Sequence, residues 1–275
     1  MLLYKQHLIK PLIKMSQVAI VTGASAGIGY EIALLFAMKK TDLVIVARNE
    51  QKLHSIKLSL EKEHQINVHV VASDLSTAEG TEELINYIRT SNLRVAYLVN
   101  NAGFGDYGRF IERDMKKYSE MIRLNIESLT ALTHYFATEM VRAGSGRILN
   151  IGSTAGFQPD PYFAVYGATK AYVISFTEAL HKELEKTGVT ITVLSPGATE
   201  TEFMERAEMQ ETRLFDRGVM TAKEVAKTGF DGMMRGKLHV IPGFRNRVLA
   251  FFSSITPSSK MRLNIAAKVM ERKDG

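Results

Sequence analysis

The 275-residue sequence contains no cysteine. That excludes disulfide scaffolds, cysteine-rich zinc sites and thiol catalysis together, and it favours a reducing compartment. Proline is scarce, and none occurs between Pro11 and Pro159. No run of about 18 apolar residues exists, so no membrane-spanning helix is expected. The amino-terminal MLLYKQHLIKPLIKM is apolar but broken by lysines, with no continuous hydrophobic region and no small-residue cleavage site, a poor match to a secretion signal. Asn-x-Ser/Thr sequons are missing as well. We therefore expect a cytoplasmic protein.

What is present is ordinary globular composition, with 45% hydrophobic and 23% charged residues. The net charge of +6 is unevenly spread: residues 1–15 carry three lysines and no acid, and residues 235–275 carry nine Lys/Arg against two acids, which leaves −4 on the span between. A nucleic-acid binder usually carries its basic footprint on the folded body, so no nucleic-acid partner is expected. A basic tail does permit weak contact with an anionic membrane surface.

Short β-branched runs, Val18–Thr22, Leu43–Ala47, Ile66–Ala72, Val95–Asn100, Arg147–Ser153 and Thr190–Leu194, alternate with longer periodic segments. The runs are nearly continuous apolar stretches, the mark of strands covered on both faces. Between them, Leu53, Ile56 and Leu60 have helical spacing, and Tyr118, Ile122, Leu129, Leu132 and Phe136 form a stripe through 114–141. Repeated strand–helix alternation predicts an α/β fold: a Rossmann-type, doubly wound parallel sheet with helices on both faces. We expect one domain over 16–244, an amino-terminal extension over 1–15, and a basic helical extension over 245–275. Residues 198–221 lack a clear period and leave the carboxyl end of a strand, as a substrate lid would. Phe203, Met204 and Met209 in this segment would suit an apolar pocket.

The first strand ends in Thr22-Gly23-Ala24-Ser25-Ala26-Gly27-Ile28-Gly29. Glycines allow a sharp turn and close approach to a pyrophosphate, and the helix that follows offers free N–H groups and its positive dipole end. The second strand ends in Arg48, where an NAD-binding fold usually places an acid for the ribose 2′-hydroxyl. A basic group suits a 2′-phosphate, so NADP(H) is the expected cofactor.

Tyr166 and Lys170 are four apart and share a helix face, and Ser153 ends a strand. A free phenol has a pKa of about 10. An ammonium about 4 Å away contributes on the order of 4 kcal/mol at an effective dielectric of 20, enough to lower a phenol by about two to three units. The pair could therefore serve general acid–base chemistry near neutrality. Asn125 falls on the apolar stripe, either as a satisfied core amide or as the holder of a water in a proton path to Lys170. The seven histidines show no metal-ligand spacing, so no metal is expected.

With these residues in place the chain resembles the classical short-chain dehydrogenases/reductases over roughly Gln17 to Pro242. The likeness rests on the Thr22–Gly29 turn, Asp74 with the adjoining Leu75, Asn100-Asn101-Ala102-Gly103, Asn125, Ser153, Tyr166-x-x-x-Lys170, and Pro196-Gly197 with Thr199. The resemblance implies that Tyr166 exchanges a proton with the substrate oxygen while Ser153 hydrogen-bonds it. It implies that Lys170 holds the nicotinamide ribose and lowers the Tyr166 pKa, and that Asn125 seats the relay water. Asp74 would lie near the adenine, Asn101 near its ribose, and Thr199 at the carboxamide, with Arg48 and Ser25 marking the NADP(H)-preferring branch. A small carbonyl or secondary-alcohol substrate of apolar character and a homodimer or homotetramer are the corresponding expectations. The alternative of another class is a protein of the same fold that senses NADP(H) without turnover.

Overall fold

A computed structural model describes residues 16–209, 212, 218–256 and 258–270. The expected extension over 1–15 lies outside these residues, as do 210–211, 213–217, 257 and 271–275.

Alternation within the first strands sets the layers. In β1 (Ser16–Thr22), Ala19 and Val21 face one side of the sheet, and Val18 and Ile20 face the other. In β2 (Asp42–Ala47), Leu43 and Ile45 join the first side, Val44 and Val46 the second. All eight side chains are fully buried, each stabilising the fold by roughly 1.5–3 kcal/mol for the larger aliphatics. The first core is closed by α1 (Gly27–Met38) and α2 (Glu50–His64) through Ile32, Phe36, Leu53 and Leu60. The second is closed by α3 (Ala78–Thr90) and α5 (Leu129–Arg142) through Leu84, Ile88, Leu132 and Phe136.

The remaining strands of the main sheet are β3 (Val68–Ala72), β4 (Leu93–Asn100), β5 (Gly146–Ile151), β6 (Val189–Leu194) and β9 (His239–Val240). Their order is β3-β2-β1-β4-β5-β6-β9, and every pairing is parallel. The chain winds outward from β1 in one direction and from β4 in the other. The carboxyl ends of β1 and β4 thus flank the crevice in which doubly wound sheets bind ligands.

Two expectations on helices need correction. The single helix expected over 114–141 is α4 (Met115–Ile122), a π-helical turn at Arg123–Ser128, and then α5. The wider turn changes which side chains point inward: Met121, Asn125 and Leu129 are buried in steps of four, whereas Ile122 is only partly covered. Ser153 is not the last residue of β5. It lies two residues beyond, capping a 3₁₀ turn (Thr154–Phe157) that leads to α6 (Ala164–Glu183).

After β6 come β7 (Thr199–Glu200) and α7 (Glu202–Arg206), and β7 pairs in parallel with β8 (Met220–Thr221) ahead of α8 (Ala222–Met234). The chain ends with α9 (Phe244–Ile255) and α10 (Ser259–Met270). These two helices are built into the main body: Ala250, Ala266 and Met270 are buried, and the Tyr107 hydroxyl donates to the Met270 carbonyl. Among the described residues no helix is long and apolar enough to cross a membrane.

Candidate active site

A cavity of about 1380 Å³ runs along the carboxyl ends of β1, β2, β4, β5 and β6. One end is walled by the glycine turn, Ser25, Arg48, Asp74 and Leu75, and the other by Ser153, Tyr166, Phe163, Met209 and Met270. Ile28, Asn101, Ala102, Gly103, Lys170, Pro196, Gly197 and Thr199 line it between or beside these groups.

The glycine turn is held by its neighbours. Gly23 and Gly27 take φ of +65° and +56°, the left-handed region that favours glycine. Asn101 Nδ2 donates to the carbonyls of Thr22 and Gly23, at 2.9 and 3.2 Å. The Thr22 hydroxyl accepts from the main-chain N–H of Asn101 and of Ala102, at 3.0 Å each. A methyl on Gly29 would meet Gly23 O and Asn101 Nδ2 at 2.4 Å. Thr22 and Gly29, expected as cofactor contacts, therefore do not face the cavity; they shape the turn that does. Asn101 lines the cavity, but its NH₂ group is committed to the turn.

The first turn of α1 has no side-chain cap and no acid, and its Gly27 and Ile28 open on the cavity. By contrast α2, α3 and α8 are each capped by their own Asn49, Thr77 or Thr221. An uncapped helix start leaves orphan N–H donors, which a diphosphate can satisfy. At the far side of the turn Arg48 is 70% exposed along its side chain, with Nη1 4.0 Å from Asp74 Oδ2. Asp74 Oδ1 is held by the Ser76 N–H and hydroxyl. Asp42 is at the opposite end of β2, holding Asn67. This donor set fits a dinucleotide with its phosphates on α1.

Tyr166 and Lys170 are buried on one face of α6, with Lys170 Nζ 5.6 Å from the centre of the Tyr166 ring. The ammonium donates to the carbonyl of Ile151 at 2.8 Å. Burial pushes Lys170 down to about 8. The phenol behaves opposite to expectation: burial raises it well above its ordinary value, the nearby Asp160 adds to the rise, and a hydrogen bond with Ser153 only partly opposes them. Burial outweighs the neighbouring Lys170, which is itself desolvated and directed to Ile151. Tyr166 therefore carries its proton at neutral pH. The Ser153 hydroxyl also accepts from the Ala155 N–H at 3.1 Å.

Asn125 is buried in the π-turn, and both its amide donors are in use. Nδ2 donates to Phe104 O and Thr169 Oγ1, and Oδ1 accepts from Phe104 N–H. Asn125 thus clamps the loop after β4, and its side chain has no donor left for a water near Lys170. The two residues flank Gly103, where a methyl would lie 2.9 Å from Asn125 Oδ1 and 3.5 Å from Lys170 Nζ.

The described part of 198–221 lies along the cavity, with Thr201, Glu202, Phe203, Met204 and Met209 among its walls. Lys52 of α2 donates to Glu202 at 2.8 Å, joining the two sides of the cleft. Contributors not expected from the sequence include Gln158 and Asp160 in the loop before α6, and Ser253 on α9. The sole sequence signal was the proline-framed Gln158-Pro159-Asp160-Pro161, placed between Ser153 and Tyr166. Among the described residues no cluster of histidine or acidic side chains could hold a metal.

The family model described as short chain dehydrogenase matches residues 17–212. The chain belongs to the short-chain dehydrogenase family, and is thus an oxidoreductase acting between CH–OH and C=O with a nicotinamide dinucleotide and a small-molecule substrate. It is 32% identical over 197 residues to an uncharacterized oxidoreductase of Staphylococcus epidermidis (72% of this chain, 84% of that protein). It is 35% identical over 191 residues to sulfoacetaldehyde reductase 2 of Chromohalobacter salexigens (69% and 75%). Among solved structures, a short-chain dehydrogenase from Sphingobium yanoikuyae in complex with NADPH superimposes with a TM-score of 0.78 at 31% identity, covering 89% of this chain and 98% of that one.

Proposed function

We propose that the chain is an NADP(H)-dependent carbonyl reductase in which Tyr166 donates the proton to the substrate oxygen. The observation that carries this is the placement of Tyr166, buried at the cavity wall, hydrogen-bonded to Ser153 and with Lys170 Nζ 5.6 Å from the centre of its ring. Tyr166 carries the proton that reduction needs; burial alone makes it a weaker acid than a free phenol, and the Ser153 hydrogen bond opposes part of that effect. Ser153 orients the carbonyl oxygen toward it. When bound, the nicotinamide supplies the hydride for the carbonyl carbon; the protein's part is orientation and electrostatics.

Lys170, buried beneath Tyr166, would hold the ribose hydroxyls, and Thr199 the carboxamide. The uncapped start of α1 would take the diphosphate, with Asp74 and Leu75 at the adenine. Arg48 would meet the 2′-phosphate, with Ser25 beside it; the NADPH bound by the Sphingobium yanoikuyae relative supports that choice. Asn125 acts by holding the Phe104 loop against the site. Phe203, Met204 and Met209 favour a substrate with apolar surface.

The test is NADPH oxidation over a panel of ketones and aldehydes, with Tyr166→Phe as the control. Turnover should fall by about 10²–10⁴-fold while NADPH affinity is retained. Equal rates in the variant would remove Tyr166 from the chemistry. NADPH binding without turnover of any carbonyl would favour the sensor.

A further inference from the structure

The protein buries two carboxyl groups near the cavity and treats them differently. Asp106 is paired with both Arg113 and Lys117; burial opposes its ionisation, but hydrogen bonds from the two cations hold it below the usual carboxylate range. Asp160 is 7% exposed and lines the cavity beside Tyr166, and no cation among the described residues acts on it. Burial alone pushes it up to about 7.

The Asp160 carboxyl is nevertheless held in place. Gln158 Nε2 donates to Oδ1 at 3.1 Å. Gln158 Oε1 in turn accepts from the Ser253 hydroxyl of α9 at 3.1 Å, which turns the amide so that its NH₂ faces the acid. Pro159 and Pro161 flank Asp160 and restrict its main chain. Buried charges are paired in folded proteins; Asp160 has a neutral donor in Gln158 but no cation, so its ionised form at the cavity wall calls for one from a ligand. The walls nearby, Phe163 and Phe203, are aromatic, and a cation is well received on such faces.

We propose that Asp160 is a specificity residue of the substrate pocket: the oxygen not held by Gln158 receives a protonated amine, so the preferred substrates are carbonyl compounds that also carry a basic nitrogen. This rests on the carbonyl-reductase reading of the same site. A hydroxyl would fit the space, but only an ammonium supplies the missing charge.

The experiment compares dimethylamino methyl ketones of graded spacer length with isosteres having CH in place of NH⁺, at neutral pH with NADPH. For the best spacer, the unmodified enzyme should show kcat/KM at least about tenfold higher for the amine, the difference lying in KM. Asp160→Asn should bring that ratio to about one. No preference at any spacer, alongside reduction of the neutral ketones, overturns the subsite and leaves the reductase reading intact. So does an equal fall for both members of a pair in Asp160→Asn, since Asp160 would then act only through Tyr166. Failure to reduce any carbonyl strikes the reductase reading instead. Calorimetry on Tyr166→Phe loaded with NADPH reads the same preference without turnover and without altering Asp160; equal affinity for amine and isostere there overturns the proposal.

Discussion

Lys170 Nζ donates to the main-chain carbonyl of Ile151, the last residue of β5, at 2.8 Å. The contact ties α6 to the central sheet and fixes where the ammonium sits beneath Tyr166. Because burial lowers Lys170 to about 8, its charge is lost as pH rises through that value. We expect kcat/KM for reduction to fall about tenfold per pH unit above pH 8, steady-state rates at saturating NADPH being the check. A flat profile up to pH 10 would mean the charge is not used.

Arg48 contributes little to folding, since its ion pair with Asp74 is long and exposed. Arg48→Ala should leave the melting temperature nearly unchanged. It should weaken NADPH by roughly ten- to a hundredfold, the worth of a charge-assisted contact, and NADH far less. Fluorescence titration with both dinucleotides decides it, and equal weakening would remove the 2′-phosphate contact.

Asn125→Ala would leave the Phe104 N–H and carbonyl without this partner in a half-buried place beside the cavity. Each unsatisfied group costs about 1–3 kcal/mol, so thermal stability should drop clearly. Turnover should fall together with the order of the Phe104 loop, visible as faster amide exchange there. Lost activity with unaltered exchange would point instead to a direct part in proton transfer.

Asp160 makes stability depend on pH. Its folded pKa of about 7 lies above the ordinary carboxylate value of 3.8, so between these values the folded protein keeps a proton that the unfolded chain has released. Stability from this group is fully present below the lower value and is lost as pH rises through the upper one. Asp160→Asn should match the parent near pH 4 and melt higher at pH 8, by about 2–4 °C for each kcal/mol recovered. Melting curves that stay superimposed at both pH values would contradict the buried, unpaired acid.

The sheet was legible because its strands announce themselves. Val18–Val21 and Leu43–Val46 are unbroken apolar runs, and only strands covered on both faces read that way. The grouping of Ser153, Tyr166 and Lys170 was legible too: the helix spacing of the pair and the position of Ser153 just beyond β5 bring all three to one cavity wall. The π-turn at Asn125 was hidden, because a regular 3.6-residue period is the default and the stripe through Leu129 and Phe136 looks unbroken beyond it. The ionisation of Tyr166 was hidden for another reason. Spacing reveals that a lysine is near, but desolvation depends on residues far away in sequence, such as Phe203. The same holds for α9 and α10. Read locally they are a basic appendage, and only contacts such as Ser253 with Gln158 make them a wall.

That wall ties the cavity to completion of the whole domain. Gln158 and Ser253, which meet across it, lie far apart along the chain, and the loop between them must close before the contact forms. The cleft therefore gains its far wall only when these distant segments have come together, and loosening α9 would open the cavity without touching the glycine turn.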